Sequence, residues 1–355
     1  MRPNARKNII YSLILLVMFL LIYNWRNREK SSESSMEEVN VEGKISLSGQ
    51  TMGTSYSIVY LDEEGRDFQP SIDSLLLVFN QSLSTYIPDS ELSRFNQMDT
   101  LDYELPFLLP ILSKSKEIYE KTDGSFDPTV GPLVNIWGFG PGGPELKDST
   151  DIEQILRLVG FDKIEFDSSQ VRKKVTGSYL DFSAIAKGFG VDVVAGYLAD
   201  KGVENYLVEI GGDLVAKGVN EKGELWKLGI NRPEETANAS DLYSIIALEN
   251  KAMATSGNYR NFYIRDSVKI SHTIKPTTGY PVNHSLLSAT VIAKDCMTAD
   301  AYATAIMVMG KERAIALDEE LDEIEVFLIY DDGQGAYGTY ASESIKAYLS
   351  FILEE

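Results

Sequence analysis

The sequence predicts a single α+β domain behind an N-terminal apolar segment. Strand-like and helix-like segments mix irregularly after residue 45, without the regular βαβ alternation that builds a parallel sheet. Neither an internal repeat nor a Pro- or Ser-rich break divides this region. We therefore expect a transmembrane signal anchor over residues 1–26, a polar tether over 27–45 and one globular domain over 46–355.

The composition of the chain excludes some classes of protein and of metal site. The 355-residue chain is 44% hydrophobic and 24% charged, which leaves enough apolar side chains for a core. Its net charge of −20 at pH 7 argues against a nucleic-acid-binding protein, since such a surface needs an excess of Lys and Arg. Cys296 is the single cysteine, so the chain holds no intramolecular disulfide and no cysteine-rich metal site.

The N-terminus predicts a membrane anchor. An apolar run over residues 9–23 follows Arg2, Arg6 and Lys7. Continued to Trp25, it is just long enough to cross a bilayer as a helix, although the hydrophobic region of a signal peptide looks similar. No small-residue cleavage site and no cysteine for lipidation follows it, which favours an uncleaved anchor. Because basic residues stand on both sides of the run, charge alone leaves its orientation open.

Periodicity assigns the elements of the domain. Alternating β-branched and aromatic side chains predict strands, and apolar residues three and four apart predict helices. The predicted strands are 55–60, 206–210, 226–230, 243–248, 252–256, 286–293 and 325–330. The predicted helices are 71–84, 107–121, 151–159, 185–199, 299–309 and 311–317. Ser71 is the candidate N-cap of the first helix, since its hydroxyl can accept a helical N–H.

Asp300 and Thr304 are the candidate metal ligands. They lie four residues apart in a predicted helix, so their side chains share one face. A carboxylate and a hydroxyl so placed can hold a hard cation whose remaining ligands are phosphate and water oxygens. The alternative is structural: Thr298 caps the helix, and Asp300 complements its positive N-terminus. Spacing alone favours the structural role.

The remaining signals do not name a reaction by themselves. The Gly-rich stretch 138–143 matches neither a P-loop nor a dinucleotide fingerprint and is typical of a turn. Gly211 and Gly212 follow an apolar strand, where a backbone can approach a ligand closely, but a tight turn explains them equally well. His272 lies beside a predicted strand, where it either packs or accepts a proton near neutral pH.

A collinear series of motifs is far more specific than any of these signals. In chain order it reads TMGT at 51–54, STY at 84–86, SELSRFN at 90–96, TDGSFDPTVGPLV at 122–134, WGFG at 137–140, LDFSAIAKG at 180–188, EIGGD at 209–213, ATSG at 254–257, HTIKPTTG at 272–279 and CMTADA at 296–301. From about residue 46 to the C-terminus the chain thus resembles the ApbE family, the FAD:protein FMN transferases. The resemblance implies an ApbE-like α+β domain, related to the T-fold, with a flavin cleft.

The resemblance also implies a site. FAD would lie extended across the cleft with Mg²⁺ on its pyrophosphate. The metal ligands would be the side chains of Asp300 and Thr304 and the main-chain carbonyl of Ala184, and His272 would be the base for the acceptor hydroxyl. The implied FAD contacts are Met52, Tyr86, Ser125, Phe126, Asp127, Asp181, Lys187 and Ile274.

The implied reaction is protein flavinylation. A threonine hydroxyl of an acceptor protein attacks the FMN-side phosphorus of FAD, AMP leaves, and a phosphoester joins FMN to the protein. Acceptors of the family are usually subunits of membrane or exported redox complexes, so we expect the domain on the exported side of the cytoplasmic membrane. An FAD pyrophosphatase that releases FMN and AMP, and a non-catalytic flavin-binding protein, are the alternatives.

The sequence departs from the family pattern at several positions. Lys275 stands where an Asp is common, and Glu209 replaces a common Asn before the Gly-Gly pair. Ser183 and Ala184 replace a frequent Gly-Gly. The common lipoprotein cysteine is missing, which leaves the N-terminal helix as the expected tether.

Overall fold

The largest element of the fold is an eight-stranded antiparallel sheet. The computed structural model describes residues 43–139, 149–234, 236, 238, 240–259, 262–265 and 268–351. The strands are β1 (Lys44–Thr51), β2 (Thr54–Leu61), β3 (Thr100–Asp102), β4 (Ile164–Phe166), β5 (Gln170–Lys173), β6 (Tyr206–Ile210), β7 (Asp213–Lys217), β8 (Trp226–Asn231), β9 (Leu242–Leu248), β10 (Lys251–Gly257), β11 (Phe262–Arg265), β12 (Val268–Ser271), β13 (Leu286–Ala293), β14 (Ile324–Asp331), β15 (Tyr337–Ala341) and β16 (Leu349–Phe351). The main sheet has the spatial order β1-β2-β6-β7-β10-β13-β14-β15.

Eight α-helices accompany these strands in the described part of the chain. They are α1 (Gln69–Leu83), α2 (Glu91–Gln97), α3 (Leu108–Lys121), α4 (Gly131–Ile136), α5 (Ser149–Leu156), α6 (Ala186–Asp200), α7 (Cys296–Met309) and α8 (Lys311–Glu320). Small sheets of order β16-β9-β8, β3-β5-β4 and β11-β12 complete the fold. All strand pairs are antiparallel. The α+β prediction is therefore confirmed.

Helix α7 is the centre of the core. Eleven of its residues are buried, including the small residues Ala299, Ala301, Ala303 and Ala305. Short side chains let a helix approach its neighbours closely, so α7 packs against the sheet strands β10 and β13 and against helix α6. Apolar side chains of β7, β10, β13 and β14 on the opposite face of the main sheet pack against β8 and β9. The site residues on α7 are thus carried by a rigid, enclosed element.

The N-caps of two helices and the start of β1 differ from the sequence prediction. Helix α1 begins at Gln69 with Phe68 as N-cap, not at Ser71, because Pro70 fits the first turn, where a missing N–H costs nothing. Helix α7 is capped by Asp295, whose side chain accepts the Thr298 N–H at 2.8 Å, so Thr298 is not the cap. Strand β1 begins at Lys44, two residues inside the predicted tether, because pairing with β2 orders these residues.

The N-terminal anchor and the Gly-rich stretch after Phe139 lie outside the described residues. Among the residues that are described, no helix is long and apolar enough to cross a membrane. The anchor therefore stays a prediction from sequence.

The turn between β1 and β2 has a strained residue at its first position. Met52 and Gly53 have φ of 50° and 73°, the signs that a two-residue type I′ hairpin turn requires. A non-glycine side chain is disfavoured there by roughly 1–2 kcal/mol. The side chain of Met52 instead lies over Gly190 of α6, where an added Cβ would come within 2.5 Å of its Cε atom. The turn thus places Met52 beside the start of α6.

We expect Gly188→Ala to destabilise the fold. A Cβ at Gly188 would lie 2.2 Å from the carbonyl oxygen of Cys296 and 2.8 Å from the Cβ of Asp300, so α6 and α7 would have to separate. Overpacking of this kind costs about 1–3 kcal/mol, measurable as a lower free energy of unfolding in urea.

Gly196→Ala is the matched control in the same helix, because a Cβ there meets nothing within 4 Å. It should leave stability unchanged or raise it by up to about 1 kcal/mol. Equal effects of the two substitutions would contradict the close approach of α6 and α7.

Candidate active site

The site begins where α6 and α7 touch. Asp300 is 3% exposed, and its Oδ2 atom accepts the main-chain N–H of Gly188 at 3.0 Å. Its Oδ1 atom lies 3.9 Å from Nζ of Lys187. Glycine is required at 188 because the two helices leave no room for a side chain. One oxygen of Asp300 is therefore fixed by the fold, and the other faces a cation.

Lys187 is held between two carboxylates. Its Nζ atom forms an ion pair with Asp213, which is 1% exposed. Burial alone would lower the pKa of Lys187, but the negative charges of Asp300 and Asp213 raise it above its usual value, so the ammonium stays charged. Burial, with the charge of Asp300 as the next cause, raises the pKa of Asp213 to about 7. The cluster has two carboxylates for one ammonium and can accept further positive charge.

The predicted metal ligands fit a hard cation. Asp300 and Thr304 lie one turn apart on α7, and Ala184 lies two residues before α6 begins at Ala186. Within the described residues no three His, Cys, Asp or Glu side chains gather to hold a metal ion. A cation at Asp300 would therefore take hydroxyl, main-chain carbonyl and phosphate oxygens as its other ligands. That donor set suits Mg²⁺, which binds few carboxylates and keeps substrate phosphates in its shell.

A cleft of about 880 Å³ opens beside Lys187. Its lining includes four of the residues predicted to contact FAD: Met52, Tyr86, Asp181 and Lys187. Tyr86 is 73% exposed, and Met52 reaches the cleft from the β1–β2 turn. The cleft combines apolar walls with one ammonium and one carboxyl group, as a ligand with aromatic rings and phosphates needs.

Short polar networks shape the cleft walls. The hydroxyl of Ser84 accepts the main-chain N–H of Tyr86 at 3.1 Å, which fixes the turn that presents the tyrosine. The side chain of Asn96 donates to the carbonyl of Leu180 at 2.8 Å and accepts its N–H at 2.9 Å. This two-point bond fixes the residue before Asp181, whose Oδ1 in turn accepts the Ser183 N–H at 2.9 Å. Burial raises the pKa of Asp181 above its usual range.

The 125–127 turn lies behind this wall, outside the residues that line the cleft. The ring of Phe126 is 1% exposed in the main core. The Oδ1 atom of Asp127 accepts the N–H and the hydroxyl of Thr129 at 2.8 and 2.6 Å. Burial raises the pKa of Asp127 to about 6. The main-chain carbonyl of Pro128 accepts the N–H of Asp181 at 2.7 Å, which connects the segment after this turn to the cleft wall.

His272 and Ile274 belong to a neighbouring aromatic cluster. The His272 ring lies edge-on to Phe139 with centroids 6.1 Å apart, and Ile274 is 4% exposed. The indole N–H of Trp137 donates to the carbonyl of Gly279 at 2.8 Å. Residues of the WGFG and HTIKPTTG motifs are therefore packed together.

Glu209 and Lys275, the two residues near the site that depart from the family pattern, have different surroundings. The carboxylate of Glu209 accepts the N–H of Gly212 at 2.8 Å, so it stabilises the turn between β6 and β7 that an Asn would also hold. The Lys275 side chain is exposed, and only its main chain forms the turn, with its carbonyl accepting the Gly279 N–H at 2.8 Å.

Sequence reasoning missed Asp213 as a site residue. The glycines of Gly211-Gly212-Asp213 left close approach to a ligand and a tight turn as equal alternatives. The signal that identifies the Asp213 side chain is long-range, since its partner Lys187 lies 26 positions earlier in the chain. Ser256 was also missed, and its hydroxyl lies 3.3 Å from that of Thr304.

Comparison with known proteins identifies the family of the chain. Residues 52–328 match the sequence model of the ApbE family. The chain is 42% identical over 318 residues to the FAD:protein FMN transferase of Vibrio cholerae, covering 86% of this chain and 93% of the relative. It is 32% identical over 349 residues to the FAD:protein FMN transferase of Escherichia coli, covering 94% of this chain and 96% of the relative.

Solved structures share the fold. The flavin transferase ApbE from Vibrio cholerae aligns with a TM-score of 0.77 at 40% identity, covering 86% of this chain and 99% of that chain. The apo form of the flavinyl transferase ApbE from Pseudomonas stutzeri aligns with a TM-score of 0.77 at 33% identity, covering 86% and 96%. The resemblance inferred from the motifs is confirmed: the chain belongs to the ApbE family.

Proposed function

We propose that this protein is an FAD:protein FMN transferase that uses Mg²⁺ to move the FMN moiety of FAD onto a threonine of an acceptor protein. The observation that carries the proposal is the meeting of Asp300, Lys187 and Asp213 at the edge of the cleft that Met52 and Tyr86 line. The relatives from Vibrio cholerae and Escherichia coli, which are FAD:protein FMN transferases, support the reaction class.

The chain's own residues account for binding and orientation. Met52 and Tyr86 offer apolar and aromatic surface to the ring systems of FAD, and the ammonium of Lys187 attracts its phosphates. Asp300 and Thr304, with the carbonyl of Ala184, would hold Mg²⁺. When bound, the ion would supply positive charge to the phosphate oxygens, where phosphoryl transfer needs it most.

In the proposed step the threonine oxygen forms a bond to the FMN-side phosphorus, and the bond from that phosphorus to the bridging oxygen breaks. AMP leaves with the electron pair of that bond. His272 would take the proton of the attacking hydroxyl, a transfer for which an imidazole of near-neutral pKa is suited. The product is a phosphoester between FMN and the protein.

In-gel flavin fluorescence tests the function. The full chain would be incubated with FAD, Mg²⁺ and candidate acceptors, chosen from the subunits of membrane or exported redox complexes. Covalent fluorescence should appear on an acceptor and disappear when its target threonine is replaced by alanine. Release of AMP and free FMN with no labelled acceptor, over the whole set, would instead identify a pyrophosphatase. Tight FAD binding without AMP release would identify a binding protein.

We further propose a single-pass anchor that places the domain on the exported side of the cytoplasmic membrane. The apolar run at 9–23 and the missing lipoprotein cysteine support this arrangement. A reporter fused after Glu355 should be active only on the exported side, and activity on the cytoplasmic side would refute it.

We expect Asp300→Ala to reduce Mg²⁺-dependent FMN transfer by about 100-fold or more, because it removes the only carboxylate of the proposed metal ligands. Steady-state kinetics over a range of Mg²⁺ concentrations would measure the loss. Circular dichroism would show whether α7 is intact. An unchanged Mg²⁺ dependence in the folded variant would place the metal elsewhere.

We expect His272→Ala to lower kcat by about 10²- to 10⁴-fold, the usual contribution of general-base catalysis, with the Kd for FAD changed by less than about 3-fold. FAD binding and single-turnover transfer would be measured side by side. His284→Ala is the control, since the other histidine of the chain contacts the carbonyl of Met307 at 2.9 Å. Parallel losses in FAD binding and in kcat for His272→Ala would assign that residue to binding alone.

A further inference from the structure

The two faces of strand β10 have different surroundings. Ala254 is fully buried in the main core together with residues of α7, and Ser256 continues the same face, since side chains two apart point the same way. Met253 and Thr255 lie on the opposite face and line a cavity of about 370 Å³ on the far side of the sheet. Ser256 therefore faces α7 and the candidate site.

The hydroxyls of Ser256 and Thr304 form a direct pair. Their Oγ and Oγ1 atoms are 3.3 Å apart. A helical threonine commonly donates to the carbonyl four residues earlier, which here belongs to Asp300. Within the described residues, however, the hydrogen bond formed by the Thr304 hydroxyl is the one to Ser256. The orientation of the Thr304 hydroxyl is therefore set by Ser256 on β10 and not by a residue of α7.

This pair matters if Thr304 binds a cation. A hydroxyl has one proton and two lone pairs. It binds a cation through a lone pair, so its proton must be accepted by another group. Partners of this kind, which orient a metal ligand, typically change metal affinity 10- to 100-fold when removed. Ser256 is placed to accept the proton of Thr304, which leaves its own proton free to donate to a phosphate oxygen.

We propose that Ser256 is a positioning residue of the metal site, which orients the Thr304 hydroxyl toward the cation and donates to a phosphate of the nucleotide. The inference rests on the proposed function, because it requires a divalent cation at Asp300 and Thr304. It assigns a role in metal binding to the ATSG motif on β10.

Thr255, the residue directly before Ser256 on β10, provides a matched control. The Thr255 hydroxyl lies 2.9 Å from the hydroxyl of Thr290 on β13. Thr255→Val and Ser256→Ala each remove one hydroxyl from adjacent positions of the same strand, but on opposite faces. A general loss of strand stability would affect both variants, whereas a role at the cation affects Ser256→Ala alone.

The test measures Mn²⁺ binding to the purified full-length protein by electron paramagnetic resonance, with FAD present. Ser256→Ala should weaken Mn²⁺ binding about 10-fold, and Ser256→Thr, which keeps the hydroxyl, should restore it to within about 3-fold. Thr255→Val should leave Mn²⁺ binding within about 2-fold of the unchanged protein. The Kd for FAD without metal, followed by flavin fluorescence, should change by less than about 3-fold in Thr255→Val and Ser256→Thr, which keep every group proposed to contact the nucleotide.

The outcomes separate this inference from the proposed function. If Asp300→Ala abolishes Mn²⁺ binding and Ser256→Ala leaves it unchanged, the metal site is correct and the role of Ser256 is refuted. Equal weakening by Ser256→Ala and Thr255→Val would also refute it. If Asp300→Ala leaves Mn²⁺ binding intact, the metal site of the proposed function is itself wrong.

Discussion

The close contact between α6 and α7 is the constraint on which the site depends. Because residue 188 is glycine, its N–H reaches the carboxylate of Asp300 at 3.0 Å. A buried carboxylate is costly unless hydrogen bonds and opposite charge compensate it. Gly188 provides the hydrogen bond, and Lys187, the preceding residue, provides the charge. Lys187 and Gly188 of α6 thus stabilise the buried charge of Asp300 on α7. The Oδ1 atom of Asp300 is left to face the proposed cation site.

Electrostatic imbalance favours the cation binding that we propose for this site. Asp213 and Asp300 share the single ammonium of Lys187, and both carboxylates are almost fully buried. An added divalent cation would relieve the repulsion between them, and an added pyrophosphate would be attracted by both cations. Substrate and metal are therefore expected to bind cooperatively, each compensating the charge of the other. The acidic character of the whole chain contributes little at this range, because solvent screens exposed charges.

Sequence periodicity predicted most of the elements around this contact. Strands 206–210 and 286–293 coincide with β6 and β13, because both are buried and rich in β-branched residues. The missed strands are β1, β3, β4, β5, β7, β11, β12, β15 and β16. Most of them are short or partly exposed, and pairing rather than side-chain pattern defines such strands. Asp300 and Thr304 were candidate ligands from their helical spacing, which alone favoured a structural role, and the resemblance to the ApbE family implied their role at the metal. Asp213 and Ser256 were not found, because each acts through a partner distant in sequence, and only the tertiary fold brings those partners together.

Crystallography with FAD and Mn²⁺ tests the central claim most directly, because the anomalous signal of manganese locates the ion. We expect one peak bonded to the carboxylate of Asp300, the hydroxyl of Thr304 and the carbonyl of Ala184, with a pyrophosphate oxygen of FAD completing the contacts. A peak on Asp213, or FAD bound in the cleft with no metal beside Asp300, would contradict it.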